Sequence, residues 1–249
     1  MTVKKYDAVI IGAGPAGCAA ALKLASEGVN TVIVEKKKLP REKICAGLLP
    51  EAAIQVLEEE LNLKIPENVF EDPPTVGLVY IPPSGVKNAV LKLNYKLCNI
   101  NRVKFDNWLA SEAENKGVKI IQNTRPEKVI FKDKEIFLKT TSGETFQTSY
   151  LIGCDGVKSW VRSRIFNKDF PQAHVYQEAY LLKKEHTDIV KPYFYIFLNS
   201  QVCNLYSYII RKKDRVILGT GNFNSQKNSK DIIKKMLEFK KLLTKEIPA

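Results

Sequence analysis

Val9, Ile10 and Ile11 form a short β-branched run with no polar alternation, the pattern of a strand buried on both faces. Good helix formers with small side chains follow from Ala16 to Ala25, Gly28 stops that helix, and Thr31 to Val34 repeats the buried-strand pattern. Helical spacing returns from about Glu51 to Leu61, opened at Pro50. It returns again from about Arg102 to Lys116, where Phe105, Trp108, Leu109 and Ala113 share a face and Gly117 closes the element. The run VKII at 118–121 predicts another buried strand. Short antiparallel strands follow, turning at Asp133-Lys134 and Ser142-Gly143 and ending in an apolar strand from Tyr150 to Cys154. Between Ile65 and Tyr95 the chain is rich in Pro and Gly, which predicts an excursion carrying one or two strands. Beyond Gly156 the apolar and aromatic runs at 193–198, 204–210 and 215–223 predict an antiparallel sheet. The lysine-rich end, with Ile232, Ile233, Met236, Leu237, Phe239, Leu242 and Leu243 at helical spacing, predicts an amphipathic helix packing on its own protein.

Chemistry is concentrated in the first of these units. Gly12, Gly14 and Gly17 give G-x-G-x-x-G between a strand and a helix. The first glycine permits the turn, the second lets a phosphate reach the backbone, and the third lets helix pack on strand. Pro15 stands at the helix start, where a missing N–H costs little. Glu35 ends the second strand, 18 residues past Gly17, where a carboxylate can accept hydrogen bonds from a ribose hydroxyl pair. An acid at that position disfavours a 2′-phosphorylated ribose, so the ligand expected is FAD or NAD and not NADP.

Composition narrows the classes. Of 249 residues 45% are hydrophobic and 27% charged, a globular balance. No apolar run approaches the roughly 18 residues that span a bilayer. Cys18, Cys45, Cys98, Cys154 and Cys203 are scattered without a C-x-x-C pair, and only His174 and His186 are present. That set argues for a reducing, cytoplasmic setting and against a zinc site or a Ser-His-Asp triad. The net charge of +12 arises from lysine doublets and triplets spread along the chain, KKK at 36–38 and RKK at 211–213 among them. With no nucleic-acid recognition pattern beside them, a solvated basic surface is expected, with peripheral attraction to anionic membrane next in line.

Four stretches in order carry a resemblance to a known family: Gly12 to Glu35, PREKICAGLLP at 40–50, NRVKFDNWLASEAENKGVKI at 101–120, and YLIGCDGVKSWVRSRI at 150–165. Together they resemble the FAD-dependent oxidoreductases of the p-hydroxybenzoate hydroxylase fold, and among them the geranylgeranyl reductase family, whose R-x-K-x-C-x-G loop is similar to 41–47. The fold implied is α/β: a Rossmann-like FAD-binding domain over 1–165, with the strand-bearing excursion at about 65–100. A partial substrate domain over 166–249 would add an antiparallel sheet and the final helix, C-terminally short. The resemblance implies FAD as cofactor and NAD(P)H as electron donor. It places the helix start at Pro15 and Ala16 on the pyrophosphate and Glu35, with Lys36 beside it, on the adenosine ribose. Arg41 and the backbone of Cys45, Ala46 and Gly47 would lie along the cofactor, Arg102 on its phosphates, Pro126 beside the adenine, and Asp155 and Gly156 near the cofactor and nicotinamide route.

The function implied is reduction of carbon–carbon double bonds in a polyprenyl or lipid substrate. Alternatives are a monooxygenase acting on an aromatic or lipid substrate and a truncated, inactive dinucleotide-binding module. No catalytic residue is assigned; a proton donor is required, for which Cys45 or a tyrosine such as Tyr206 is the candidate. Two departures stand out. Tyr208, Ile210 and Arg211 occupy the places of Trp, Phe and Pro in the family's Y-x-W-x-F-P pattern, and the chain holds no G-D-A-A-G motif, which in the family falls beyond the position of Ala249.

Overall fold

The structure is a computed structural model that describes residues 3–82, 91–182, 191–198 and 205–222. The amphipathic helix expected at 229–245 lies outside the described residues. Contacts divide the chain into two units, one of residues 1–43, 56–65 and 102–170 and one of 44–55, 66–101 and 171–249.

The first unit is built on a parallel sheet. Strands β2 (Ala8–Ile11), β3 (Thr31–Val34), β7 (Lys119–Ile121) and β11 (Tyr150–Gly153) lie in the order β11-β2-β3-β7. Helix α1 (Pro15–Ser26) connects β2 to β3, and α3 (Arg102–Asn115) precedes β7 and packs on α1. A second sheet, β1 (Val3–Lys5), β10 (Thr145–Thr148), β9 (Glu135–Thr140) and β8 (Pro126–Lys132), forms the other layer. Side chains alternate along a strand, so Val9, Ile11, Val32 and Val34 share one face. There they pack with Leu138 and Phe146 of the second sheet and with Val161 of the short helix α4 (Trp160–Ile165). Ile10 and Ile33, fully buried, point the opposite way. Burial on both faces is why these strands read as unbroken apolar runs.

The second unit holds one seven-stranded sheet. Its members are β4 (Leu48–Leu49), β5 (Phe70–Ile81), β6 (Leu91–Ile100), β12 (His174–Leu181), β13 (Tyr193–Phe197), β14 (Ser207–Lys212) and β15 (Arg215–Asn222), in the order β12-β15-β14-β13-β5-β6-β4. Both faces are apolar: Val79, Ile81, Tyr195, Phe197, Ile209 and Leu218 form one cluster, Val76, Leu78, Phe194, Tyr208 and Ile210 part of the other. The excursion at 65–100 supplies two long strands, and β5 pairs in parallel with β13. It therefore shares a sheet with the strands after residue 171, whereas the sequence grouped it with residues 1–165. A parallel partner 116 residues away (β13 Tyr193 opposite Gly77) leaves no local trace in the chain. The helix expected from Glu51 to Leu61 consists of α2 (Glu51–Gln55) and a π-helical turn at Val56–Glu60.

Candidate dinucleotide site and the Cys45–Gly47 turn

In the first unit the glycine turn abuts the D-G segment. Gly12 has φ +104°, and a Cβ there would come within 2.6 Å of Cys154 O and 3.1 Å of Asp155 Cα. A Cβ on Gly17 would strike the carbonyl oxygen of Gly12, so the glycine is what seats α1 on β2. Gly14 differs: its nearest neighbour would be Arg41 Nη2 at 3.6 Å, leaving the bare backbone open on that side. Gly14 also caps α1 without a side-chain hydrogen bond, with Pro15 in the first turn and Ala16 exposed. Uncapped N–H groups and the positive end of a twelve-residue helix favour an anion there.

Glu35 is buried at the end of β3. Its Oε2 accepts the Ala13 N–H at 2.7 Å and its Oε1 the Lys37 N–H at 3.0 Å, which fixes the carboxylate and leaves lone pairs for further donors. Arg41 Nε stands 3.7 Å from Glu35 Oε1 and its Nη1 3.4 Å from Asp106 Oδ2. Arg102 completes the row, with Nε donating to Asp106 Oδ1 at 2.7 Å and Nη2 to Oδ2 at 3.2 Å. Each such pair attracts by about 4 kcal/mol in an intermediate dielectric, but burial costs comparable energy. The row of two carboxylates and two guanidiniums fixes geometry more than it adds stability. The anion that a cation at the start of α3 calls for is thus present as Asp106, one turn along the helix.

The remaining residues separate. Thr124 N–H donates to the Glu35 carbonyl at 3.0 Å, which brings Pro126, two residues on, toward the same end of the sheet. Asp155 Oδ2 accepts the N–H groups of Trp160 (2.6 Å) and Val161 (3.3 Å), while Oδ1 is buried with no partner among the described residues. Ser159 Oγ caps α4 by accepting the Arg162 N–H at 2.9 Å. Lys36 and Gly156 are exposed, and nothing lies within 4 Å of where a Gly156 Cβ would be.

Cys45, Ala46 and Gly47 belong to the second unit. There Gly47, at φ +68°, donates its N–H to Cys45 Sγ at 3.4 Å and accepts the Ile100 N–H at 2.8 Å. Ala46 packs against the cluster containing Tyr208 and Ile210, and so does Tyr206. Lys212 Nζ donates to Asn99 Oδ1 at 2.7 Å, Ile100 O at 2.7 Å and Gly47 O at 3.2 Å. Burial, partly offset by Glu71 and Cys45, pulls this ammonium down to about 8. Burial also pushes the Tyr208 phenol up, with Cys45 adding to it.

Sequence reasoning overlooked Asp106 and Lys212. Asp106 was findable as an acid on the apolar side of α3, four residues past Arg102. Lys212 was grouped with a solvated RKK run, but it is 4% exposed. It continues the alternation of Tyr206, Tyr208 and Ile210 onto the cluster face.

This donor set fits a dinucleotide cofactor. The open backbone at Gly14 and the uncapped α1 suit a pyrophosphate, Glu35 suits a ribose diol, and the orphaned Asp155 oxygen suits a hydroxyl or N–H donor.

Comparison with known proteins agrees. The model of a family described as FAD binding domain matches residues 5–195. An uncharacterised protein of Methanosarcina barkeri is 29% identical over 247 residues, covering 96% of this chain and 59% of that protein. The chloroplastic geranylgeranyl diphosphate reductase of Arabidopsis thaliana is 27% identical over 88% of this chain and 48% of its own length. Among solved structures, a geranylgeranyl bacteriochlorophyll reductase-like protein of Thermoplasma acidophilum superposes with TM-score 0.77 at 20% identity, over 95% of this chain and 62% of that one. PqsL of Pseudomonas aeruginosa, a probable FAD-dependent monooxygenase, gives 0.67 at 19%, over 88% and 61%. The chain thus spans between about half and three fifths of the length of these proteins.

Proposed function

Because the chain belongs to the FAD-binding domain family of oxidoreductases, we propose that it holds FAD and reduces carbon–carbon double bonds of a polyprenyl or similar lipid chain. The observation that carries the FAD part is the set built around Glu35, with the Ala13 N–H and Arg41 fixing the carboxylate and the open Gly14 backbone beside it. Bound and reduced, FAD supplies the hydride in such chemistry, and NAD(P)H is the proposed donor that reduces it.

The residues of the chain divide the work. The first turn of α1 would hold the pyrophosphate, Glu35 the adenosine ribose, and Arg41 and Arg102 would set the position of the acids between them. Asp155 would take a cofactor donor on Oδ1 while its other oxygen stays on α4. The similarity to geranylgeranyl diphosphate reductase and the Cys45-containing loop support the reductase reading. The apolar and aromatic cluster around Tyr208, with Ala46 and Tyr206 packed against it, would give an apolar substrate an apolar wall. The lysine-rich surface is proposed to dock on the anionic membrane that would hold such a lipid.

The visible absorbance of the purified chain, before and after incubation with FAD, tests the first step. A bound-flavin spectrum at one equivalent is expected, and a colourless protein that refuses FAD overturns it. Anaerobic reduction followed by product analysis tests the second. Saturated lipid product is expected, whereas incorporation of an oxygen atom into the product under air would establish a monooxygenase instead.

A further inference from the structure

We propose that Lys212 is a positioning residue, a protonated latch that fixes the Cys45–Gly47 turn from behind and so sets the geometry this turn presents to the cofactor. The second half of that statement rests on the FAD reading above; the latch itself does not.

The geometry is specific. Three acceptors surround Nζ, and each is held by something else. Gly47 O also accepts from Ile100 N–H, and Ile100 O ends β6. The Asn99 amide is oriented by its Nδ2, which donates to Pro73 O at 2.9 Å and Arg211 O at 3.4 Å, leaving Oδ1 for the lysine. One ammonium therefore ties the turn to β5, β6 and β14. The fit leaves no slack, since a Cβ on Gly47 would lie 2.6 Å from Nζ. No carboxylate of the described residues pairs with Lys212. The ionisable groups that act on it are Glu71 on β5, Cys45 in the turn and Arg215 on β15.

A methionine-sized apolar side chain would fill this volume without the cost of burying a charge. What only the ammonium offers is three donors for three buried acceptors; a neutral amine has two and leaves one acceptor unsatisfied. The latch accordingly weakens as the lysine loses its proton, and burial brings that event to about 8.

Hydrogen exchange on the full chain, with Lys212→Met and Lys212→Arg beside it, tests the proposal without any cofactor. In Lys212→Met, amides 45–47 and Ile100 are expected to exchange on the order of tenfold faster while 78–81 on β5 keep their protection, a tenfold ratio corresponding to about 1.4 kcal/mol of local opening. In the unsubstituted chain the protection of the turn, corrected for the intrinsic rate, is expected to fall between pH 7 and 9.5, and in Lys212→Met to show no such step. Equal exchange in the two proteins, or a flat profile in the unsubstituted chain, overturns the latch. If Lys212→Met does not fold, the pH profile decides alone. With FAD bound, the flavin absorption maxima and midpoint potential are expected to move in Lys212→Met and return toward the original in Lys212→Arg. A changed exchange pattern with unmoved flavin properties overturns the positioning role. A chain that binds no FAD defeats the function proposed above, and the exchange result still judges the latch.

Discussion

Glu35 and Cys18 lie in the same unit and show opposite uses of burial. Around the buried Glu35 carboxylate stand two donating backbone N–H groups and Arg41. Glu35→Gln leaves one of its backbone N–H groups facing an amide N–H and removes the charge that a ribose diol would meet. A hydrogen bond to a charged group contributes roughly 1.5–3 kcal/mol, so FAD affinity should drop about 10- to 100-fold. Titration by flavin fluorescence quenching measures it, and unchanged affinity would remove Glu35 from the site. Cys18 has no such compensation. Burial first, then the Asp106 and Glu35 carboxylates, pushes its thiol from 9.0 up to about 12. The native chain therefore keeps a proton that the unfolded chain gives up above pH 9, and this group costs stability as pH rises from about 9 toward 12. Cys18→Ala should flatten that part of the stability–pH curve in urea unfolding. At pH 8 native Cys18 should resist iodoacetamide until the protein unfolds.

At the scale of the element, two glycines three residues apart, Gly14 and Gly17, separate folding from binding in the β2–α1 unit. Gly17→Ala drives a methyl into the Gly12 carbonyl, so α1 must leave β2, at a cost of about 1–3 kcal/mol in overpacking. Gly14→Ala meets nothing closer than Arg41 Nη2 at 3.6 Å and sits at φ −83°, which alanine accepts. Its methyl would stand where a phosphate approaches. Gly14→Ala should therefore leave the melting temperature nearly unchanged while weakening FAD on the order of tenfold or more, and Gly17→Ala should lower both. Equal melting losses for the two would contradict the open cradle. This unit was legible in the sequence because its signals are local: a buried-strand run, a steric glycine pattern and a terminal acid all fall within residues 9–35. The seven-stranded sheet was not, because the partner of β5 is chosen by packing between segments far apart in the chain. Asp106 and Lys212 fell between these cases. Each lay on a predictable face, but a charge on an apolar face has meaning only once its partners, Arg102 and Arg41 or Gly47 and Asn99, are in place.

For the whole molecule the governing quantity is the charge of +12. Lys212 withdraws one cation from the surface, and the rows of charge around Arg41 and Arg102 are internally balanced, so these groups add little to the outer field. Exposed lysines such as Lys36, Lys37 and Lys38 carry the excess. No helix among the described residues is long and apolar enough to cross a membrane; the docking proposed above acts through the charged surface. Each lysine near an anionic bilayer contributes about 1 kcal/mol at physiological salt, and a few acting together suffice for measurable binding. The attraction extends only about 8 Å at 0.15 M salt and about 3 Å at 1 M. Sedimentation with phosphatidylglycerol vesicles should therefore capture the chain at low salt and release it as salt rises toward 1 M, while neutral phosphatidylcholine vesicles should leave it in solution. Binding that survives high salt would point to apolar insertion, with exposed Phe166, Phe170 and Leu181 as the first residues to replace. Absence of binding at low salt would leave the charge as a solvating coat and overturn the membrane docking proposed for this chain.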